Sequence, residues 1–559
     1  MQEQNTPMQE QNTPQKTNDT PNAPKNTPKI STRLICIIVA AVVVIGAVIG
    51  LIIGLSGGDP STTTTRRPGG TGEGKWDGVS FEGETLRIEY NSHVQPTLSA
   101  TGSPHYYEKF IQGPDSASSD PVDNAVFERN ELVADRLGME IEWMEDKTSA
   151  VNELFSHFES IAGAGNAPHI VINMNYGLIR AEVGGLLYNL KKDYGDTSKN
   201  YFAFEGEDAE GWYMDMMLDT TLNKDRIYIA AGDYLIDPLR LSYNTFVNTN
   251  MFEENFKNRQ GMDYLYDLVI GGTDWTYDTF MELNEVVTDQ TSQDEDRWTY
   301  GVSTNTFSYR AFFFSSGLSL FDYDETGKPS YTTKTETLND LHQYVDDITD
   351  VLAAPGVAGP NMKDFSAQKS FDLFKNGNAL FMTDQFLASL EGQNFREMDH
   401  ATAVIPYPKY NYEADYRILV SDNACSGGIL ISSLDDEFAM ASAFLQMMTE
   451  ESEDVLYEYF EKGLKSRDNA ANDPRQVQVL DIIRDAVAEP LDFLFDNFSS
   501  RETPGTHGTS GDSHTIYDII EEAVKGGIGS TNPFSSTWGA EAERKNNTLQ
   551  QTVARFYED

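Results

Sequence analysis

Residues 168–190, PHIVINMNYGLIRAEVGGLLYNL, contain the pattern on which the fold class depends. They open with a short apolar run at residues 169–174, rich in β-branched side chains, which predicts a buried strand. Asn173, Asn175 and Tyr176 stand at the end of that run or just beyond it. Polar and aromatic side chains in this position lie at the carboxyl end of a strand, which is where α/β sheets bind ligands.

Strand-like and helix-like segments alternate on both sides of this stretch. Residues 85–90 (TLRIEY) and 140–144 predict further strands, and residues 150–162 predict an amphipathic helix. Helix starts are indicated at Thr276 and Asp435. This rhythm predicts an α/β fold with mainly parallel sheets. A chain of 559 residues is too long for one ordinary domain, so we expect two lobes.

Composition excludes nucleic acid as a partner and allows a ligand that stacks on aromatic side chains. The formal net charge is -47, from 41 basic and 88 acidic side chains, and such a field repels nucleic-acid phosphates. The 27 Tyr, 30 Phe and 6 Trp supply aromatic faces for cores and for ligand stacking. Cys36 lies in the N-terminal apolar run and Cys425 in the distant folded part, so we predict no disulfide between them. We expect a stable monomer without a disulfide.

The N-terminus predicts a membrane anchor. Residues 1–33 are polar and Thr-Pro-rich and are expected to be disordered. Residues 34–55 carry no charge and would form about 33 Å of helix, enough to cross a bilayer. Residues 56–75 read as a flexible linker. We therefore expect a single-pass membrane protein with a cytoplasmic N-terminus and an extracytoplasmic folded part.

The sequence contains no HExxH, no CxxC and no Gly-rich loop ending in Lys-Ser or Lys-Thr. His507 and His514 in a Gly-Thr-Ser-rich loop are either metal ligands or surface residues. The acidic run at residues 289–301 lacks the spacing of a calcium loop. We expect no enzyme activity, no cofactor and no metal, with a carbohydrate-active enzyme as a weaker alternative.

Several segments along the chain together resemble the family 1 extracellular solute-binding proteins of ABC importers, particularly the long clostridial-type sugar-binding proteins. The resemblance covers residues 80–550. No single one of these motifs is specific to the family. The resemblance rests on the order and spacing of the segments along the chain. Besides residues 168–190, the segments are 122–133 (VDNAVFERNELV), 266–278 (YDLVIGGTDWTYD), 374–381 (FKNGNALF), 405–410 (IPYPKY) and 463–483 (GLKSRDNAANDPRQVQVLDII).

The resemblance implies a type II periplasmic-binding-protein-like fold with two lobes. Lobe 1 would comprise residues 76–240 plus 378–430, and lobe 2 residues 245–375 plus 435–559. It also implies a small ligand, a carbohydrate or oligosaccharide, that is captured by lobe closure and delivered to an ABC permease. Cys36 lies at the start of the apolar run, so it cannot be a lipid-modified cysteine. That departure keeps open a surface recognition protein or adhesin without a transporter.

The resemblance also selects ligand-binding candidates by their positions near strand ends and crossovers. Each has an alternative as an ordinary packing, capping or ion-pairing residue. Trp538 is a further stacking candidate, and Trp275 is expected to be structural. The ligand-binding candidates are Asn173, Asn175, Tyr176, Asp233, Tyr234, Asp237, Tyr309, Arg310, Asp384, Gln385, Phe386 and Asn423.

Overall fold

The computed structural model describes most of the chain beyond residue 74. The predicted tail, the predicted membrane span and all of the predicted linker except Lys75 lie outside the described residues. Within the described ranges every helix is too short or too polar to cross a membrane. Those ranges are residues 75–91, 108–146, 154–192, 200–362, 365–421, 423–431, 435–464, 474–489 and 515–557.

Among the described residues, the strands form two main sheets and two small two-stranded sheets. They are β1 (Thr85–Asn91), β2 (Glu140–Asp146), β3 (Ile170–Met174), β4 (Tyr243–Asn248), β5 (Tyr300–Ser303), β6 (Phe321–Tyr323), β7 (Pro329–Tyr331), β8 (Val357–Ala358), β9 (Ala379–Phe386), β10 (Thr402–Ile405), β11 (Ile418–Leu419), β12 (Cys425–Ile429) and β13 (Val487–Ala488).

The helices cover the two main sheets. They are α1 (Glu108–Ile111), α2 (Pro121–Leu137), α3 (Leu154–Ala162), α4 (Asn175–Gly184), α5 (Met214–Asp219), α6 (Asp237–Arg240), α7 (Thr249–Phe256), α8 (Met262–Ile270), α9 (Tyr277–Val287), α10 (Ser308–Ser315), α11 (Thr335–Leu352), α12 (Ala367–Lys375), α13 (Gln393–Arg396), α14 (Asp435–Glu450), α15 (Glu453–Glu458), α16 (Pro474–Asp485), α17 (Ile516–Gly526) and α18 (Phe534–Tyr557). Residues 387–391 form a 3₁₀ turn.

The helix signals in the sequence correspond to real helix ends. Asp120 caps α2, because its side chain accepts hydrogen bonds from the backbone N–H groups of Val122 and Asp123 at 3.0 and 3.1 Å. Gly138 ends the same helix in the left-handed conformation, at φ 63°. Helix α9 begins after Thr276 and α14 begins at Asp435, as predicted. Thr276 makes no side-chain capping hydrogen bond.

The first sheet has the strand order β12-β3-β1-β2. Strands β1 and β2 pair in parallel over seven residues, and β1 also pairs in parallel with β3. Only β12 runs antiparallel, against β3. This sheet agrees with the mainly parallel arrangement predicted from the alternation of strands and helices.

The second sheet has the strand order β10-β4-β9-β5-β8 and is mixed rather than mainly parallel. Strand β5 pairs in parallel with β8 and β9. Strand β4 is antiparallel to both β9 and β10. The expectation of a mainly parallel sheet is therefore wrong at β4, which runs opposite to its neighbours β9 and β10, whereas the other four strands of this sheet run in one direction.

Three chain segments run side by side between the two sheets. The Ser421 N–H donates to Leu241 O at 3.0 Å, and the Val420 N–H donates to Ala488 O at 2.9 Å. Leu387 N–H donates to Ser242 O at 3.0 Å, at the end of β9. We call residues 240–243, 418–421 and 486–488 the crossover segments.

The lobe boundaries differ from the division that the resemblance implied. Strands β9 and β10, from the part assigned to lobe 1, pair in the second sheet. The chain returns to the first sheet only at β12, whose antiparallel pairing with β3 holds it there. Helix α14, assigned to lobe 2, packs against α2 and β1 of the first lobe. Helices α16 and α17 pack against elements of the second lobe.

The described residues from Lys75 onward belong to one compact unit, and its interior is continuous through both lobes. Apolar side chains of both main sheets and of their covering helices contribute to the same buried cluster. Burial of this apolar surface is the main favourable term in folding. The lone described cysteine, Cys425, is buried in β12 as a free thiol.

Candidate functional site

The strand ends of both sheets converge on the crossover segments. In the first sheet, Cys425 at the start of β12 pairs with Met174 at the end of β3, four residues after the crossover residue Ser421. In the second sheet, Phe386 at the end of β9 pairs with Tyr243 at the start of β4. Strand β5 runs parallel to β9, so its carboxyl end lies at the same edge. Strand ends of both main sheets therefore lie beside the crossover segments, which is where α/β folds bind ligands.

Asp384 is the centre of the second-lobe half of this region. Its Oδ2 accepts a hydrogen bond from Asn305 Nδ2 at 2.6 Å, and its Oδ1 accepts one from Gln385 Nε2 at 3.1 Å. Burial raises the pKa of Asp384 to about 6, against the lowering effect of these hydrogen bonds. The carboxylate is therefore held in place by two amides and is mostly ionised at neutral pH.

Hydroxyl groups fill the space between the ends of β5 and β9. Thr383 Oγ1 donates to Thr304 Oγ1 at 2.9 Å, and Thr304 Oγ1 donates to Ser308 Oγ at 2.9 Å. Ser303 and Ser370 place their hydroxyl oxygens 2.7 Å apart. All of these residues are buried. Hydrogen bonds among these hydroxyl groups hold the side chains at the ends of β5 and β9 in one arrangement.

Aromatic side chains border the polar network. Phe307, two residues beyond Asn305, is 54% exposed, which is unusual for a phenylalanine in this well-packed chain. Phe386, two residues beyond Asp384, is partly exposed, and its ring centroid lies 4.6 Å from that of Tyr243. The second-lobe half thus combines oriented amides and a carboxylate with aromatic faces.

The first-lobe half lies at the end of β3 and the start of α4. Asn175 Nδ2 donates to Glu489 Oε2 at 2.5 Å, and both residues are fully buried. Asn175 Oδ1 has no hydrogen-bond partner among the described residues. Tyr176 is buried, and its hydroxyl accepts from Arg180 Nη2 at 2.6 Å. Asn173 Oδ1 accepts from the backbone N–H of Met174 at 2.8 Å.

Four predicted site residues are instead engaged in packing. Asp233 accepts from the Tyr213 hydroxyl at 2.9 Å, and burial raises its pKa to about 6. The Tyr234 hydroxyl donates to Ala230 O at 2.7 Å inside the core. Tyr309 is fully buried, and the Arg310 guanidinium lies 4.8 Å from the ring centroid of Tyr517 on α17. Trp538, the further stacking candidate, is buried as well.

Two more predicted residues belong to the crossovers. Asp237 Oδ2 accepts from the Cys425 backbone N–H at 2.7 Å, and Asp237 Oδ1 accepts from Arg240 Nη1 at 3.1 Å. Asn423 is partly exposed, and its backbone N–H donates to Ser421 Oγ at 3.3 Å. Asp237 thus ties the first crossover to the start of β12.

The predicted residues that the structure brings together at the strand ends are the three from β9 (Asp384, Gln385 and Phe386) and the three around the end of β3. Asn305, Phe307 and Tyr243 were missed. Asn305 follows a strand-like run, which is a usable sequence signal. The exposure of Phe307 has no signature in the sequence, because a phenylalanine beside a helix start is usually buried.

A buried ion network joins the lobes behind the crossovers. Arg240 donates to both carboxylate oxygens of Glu391, at 2.9 and 3.0 Å. Glu391 follows β9 in the second lobe, and it also accepts from the hydroxyl of Tyr459, which follows α15 in the first lobe, at 2.8 Å. The Arg240 guanidinium lies 4.5 Å from the ring centroid of Phe110. Arg240 is therefore held by groups from both lobes.

One further cluster lies at the carboxyl ends of β1 and β2. His157 Nε2 is 2.8 Å from Glu89 Oε1 and 3.8 Å from Asp146 Oδ2. Asn91 Nδ2 donates to Asp146 Oδ2 at 2.8 Å. The hydrogen bond to Glu89 raises the pKa of His157, and burial opposes this. Each of the three residues Glu89, Asp146 and His157 could offer one ligand atom to a metal ion.

Comparison with known proteins gives only structural matches: no protein-family model matches the chain, and no curated protein does. A cyclo/maltodextrin-binding protein complexed with maltotetraose is 13% identical, covering 84% of this chain and 97% of its own, with a TM-score of 0.48. An ABC transporter solute-binding protein from Thermotoga lettingae, bound with α-D-tagatose, is 16% identical, covering 83% and 100%, with a TM-score of 0.43. A family 1 extracellular solute-binding protein from Bifidobacterium longum subsp. infantis is 16% identical, covering 85% and 100%, with a TM-score of 0.43.

Proposed function

We propose that this protein is a receptor that binds a small carbohydrate or oligosaccharide between its two lobes and catalyses no reaction. The observation that carries the proposal is the edge of the second sheet, where Asn305, Asp384 and Gln385 form an oriented polar group beside the exposed ring of Phe307. Carboxylate and amide groups bind sugar hydroxyls, and aromatic faces pack against the apolar faces of sugar rings.

The first-lobe half completes the proposed site. Asn175 presents a buried carbonyl oxygen without a partner among the described residues, which suits a hydroxyl donor on a ligand. Asn423 is two residues beyond the crossover residue Ser421, to whose hydroxyl its backbone N–H donates. A ligand that contacts both halves would stabilise a closed arrangement over an open one by the extra contacts it makes there.

We infer a non-catalytic role from how the carboxylates of the site are used. Asp384 is hydrogen-bonded to two side-chain amides, and Glu489 accepts from Asn175. Carboxylates held in this way are arranged to bind hydroxyls. A glycosidase would instead use one carboxylic acid to protonate the leaving oxygen and another to activate water or attack the sugar.

The cellular role follows from the sequence rather than from the site. By its resemblance to family 1 solute-binding proteins, the chain would act as a monomer outside the cytoplasm and deliver its ligand to an ABC permease. Residues 34–55 would anchor it. The position of Cys36, at which it cannot serve as the lipobox cysteine of bacterial family members, favours a second candidate: a surface recognition protein that kept the binding fold without a transporter.

A calorimetric screen of the full chain in detergent tests the proposal. The panel would contain maltotetraose, tagatose and a tetrapeptide of similar size. We expect a carbohydrate to bind, and Asp384→Asn to weaken that binding roughly tenfold or more, because truncating a charged hydrogen bond costs about 1.5 to 3 kcal/mol. Binding of the peptide alone would overturn the carbohydrate assignment. Unchanged affinity in the Asp384→Asn variant would overturn the location of the site.

A further inference from the structure

The carboxyl ends of β1 and β2 carry three potential metal ligands from different elements. Glu89 and Asn91 are two residues apart on β1, so their side chains lie on the same face of the sheet. Asn91 pairs in register with Asp146 of β2, which places the Asp146 side chain on the same face. Helix α3 brings His157 to this face. Both carboxylate residues are buried, at 6% and 8% exposed, and His157 is half-buried.

We propose that Glu89, Asp146 and His157 form a binding site for a divalent metal ion, of which Zn²⁺ is the best fit. The three ligand atoms lie within 4.8 Å of one another. Ligand atoms about 2.0 to 2.2 Å from a tetrahedral zinc ion are about 3.3 Å apart. The observed separations of 2.8 and 3.8 Å from His157 Nε2 lie on either side of that value, so small side-chain rotations suffice.

The donor set favours zinc over the harder cations. Imidazole nitrogen suits Zn²⁺, whereas Ca²⁺ and Mg²⁺ prefer oxygen ligands alone. A divalent ion would also neutralise two carboxylates that stand close together in a partly dehydrated setting. Asn91 orients Asp146 by its 2.8 Å hydrogen bond, as outer-shell partners do for metal-bound carboxylates. Three protein ligands leave a fourth position for water.

The site would have a structural consequence. Glu89 and Asp146 lie on adjacent parallel strands, and His157 lies on α3, which packs against α4. An ion bound by all three would fasten α3 to the strand ends of the first lobe. These strand ends lie at the same edge of the sheet as Met174 and Asn175, so the ion would also steady that side of the cleft.

Zinc titration of the metal-free full chain tests the proposal by calorimetry and by the melting temperature. We expect one Zn²⁺ per chain at this site, with a micromolar or lower Kd and a rise in melting temperature. His157→Ala should weaken binding roughly 100-fold or more, and Asn91→Ala about tenfold. His342→Ala is the matched control: His342 is exposed on α11, 3.9 Å from Asp346, and its loss should leave the affinity unchanged.

The alternative is that His157 only forms an ion pair with the two carboxylates. In that case the wild-type chain would bind no Zn²⁺ that depends on His157, and this result would overturn the proposal. Equal affinity in the wild type and in the His157→Ala variant would overturn it as well. If the His157→Ala chain fails to fold, His157→Gln keeps the side-chain volume and removes the imidazole ligand, and it should show the same loss of affinity.

Discussion

Phe307→Ala separates binding from folding more cleanly than any other change in the proposed site. The side chain is 54% exposed, so its removal deletes few contacts within the protein. We expect the free energy of unfolding to change by no more than about 0.5 kcal/mol, as for most surface substitutions. Any larger effect on ligand binding can then be assigned to the missing ring.

The size of that effect follows from the exposed area. A phenylalanine carries about 200 Å² of surface, so roughly 100 Å² of Phe307 is available for a ligand to cover. At about 25 cal/mol per Å², complete coverage is worth about 2.5 kcal/mol, and partial coverage correspondingly less. We therefore expect the loss to lie between about 1 and 2.5 kcal/mol, a roughly 5- to 70-fold weaker Kd.

Calorimetry with the carbohydrate found by screening measures the change, with Tyr457→Ala as the control. Tyr457 is also an exposed aromatic residue, at 43%, but lies on α15, away from the strand ends. We expect its loss to leave the Kd unchanged. If Phe307→Ala binds as tightly as the wild type, the ring does not stack on the ligand and the second-lobe half is wrongly placed.

Three further changes test other parts of the structure. Arg240→Leu should destabilise the fold by about 3 to 5 kcal/mol in urea unfolding, because it removes the buried cation that pairs with the buried Asp237 and the partly buried Glu391. Arg259→Leu, at an exposed ion pair, should cost no more than about 1 kcal/mol. Asp384 has a folded pKa of about 6 against an ordinary 3.8, so the folded state holds its proton more tightly and stability falls as the pH rises from about 4 to about 6. Asp384→Asn should flatten this decline by about 3 kcal/mol, and an unchanged decline would contradict the burial argument. Tyr176→Ala should lower stability by about 3 to 5 kcal/mol, since the ring is 3% exposed, and a variant as stable as the wild type would show that the ring is not part of the core.

Local sequence pattern was sufficient to predict three of the four strands of the first sheet, all but β12. Residues 85–90 and 140–144 became β1 and β2 with one or two residues added at their ends, and the apolar run after residue 168 became β3. Strand β1 pairs in parallel with both β2 and β3, so the alternation of strands and helices along the chain predicts this part of the sheet. Local signals sufficed because sequence neighbours are also neighbours in space.

Local sequence pattern does not predict the strand pairing of the second sheet. Strand β10 pairs with β4, which precedes it by more than 150 residues, and no local pattern gives that pairing or its direction. The resemblance placed β9 and β10 in the wrong lobe for the same reason. Tyr234 and Phe307 illustrate the limit for side chains, since the buried residue was predicted to bind ligand and the exposed one was overlooked. Exposure depends on which elements pack around a residue.

The crossover segments determine what kind of lobe motion the structure allows. Residues 241, 420 and 488 are joined through backbone hydrogen bonds of Ser421 and Val420, so the segments would have to twist together if the lobes rotate. Arg240 bonds to Glu391, and Glu391 bonds to Tyr459 of the other lobe, which fixes the lobes to each other on that side. Breaking the Arg240–Glu391 pair would leave the buried Arg240 without one of its two carboxylate partners, at a cost larger than the extra contacts of one sugar ring. Closure around a ligand, as we propose it, must therefore pivot at the Arg240 side and narrow the cleft at the opposite side, where the rings of Phe307 and Phe386 are accessible.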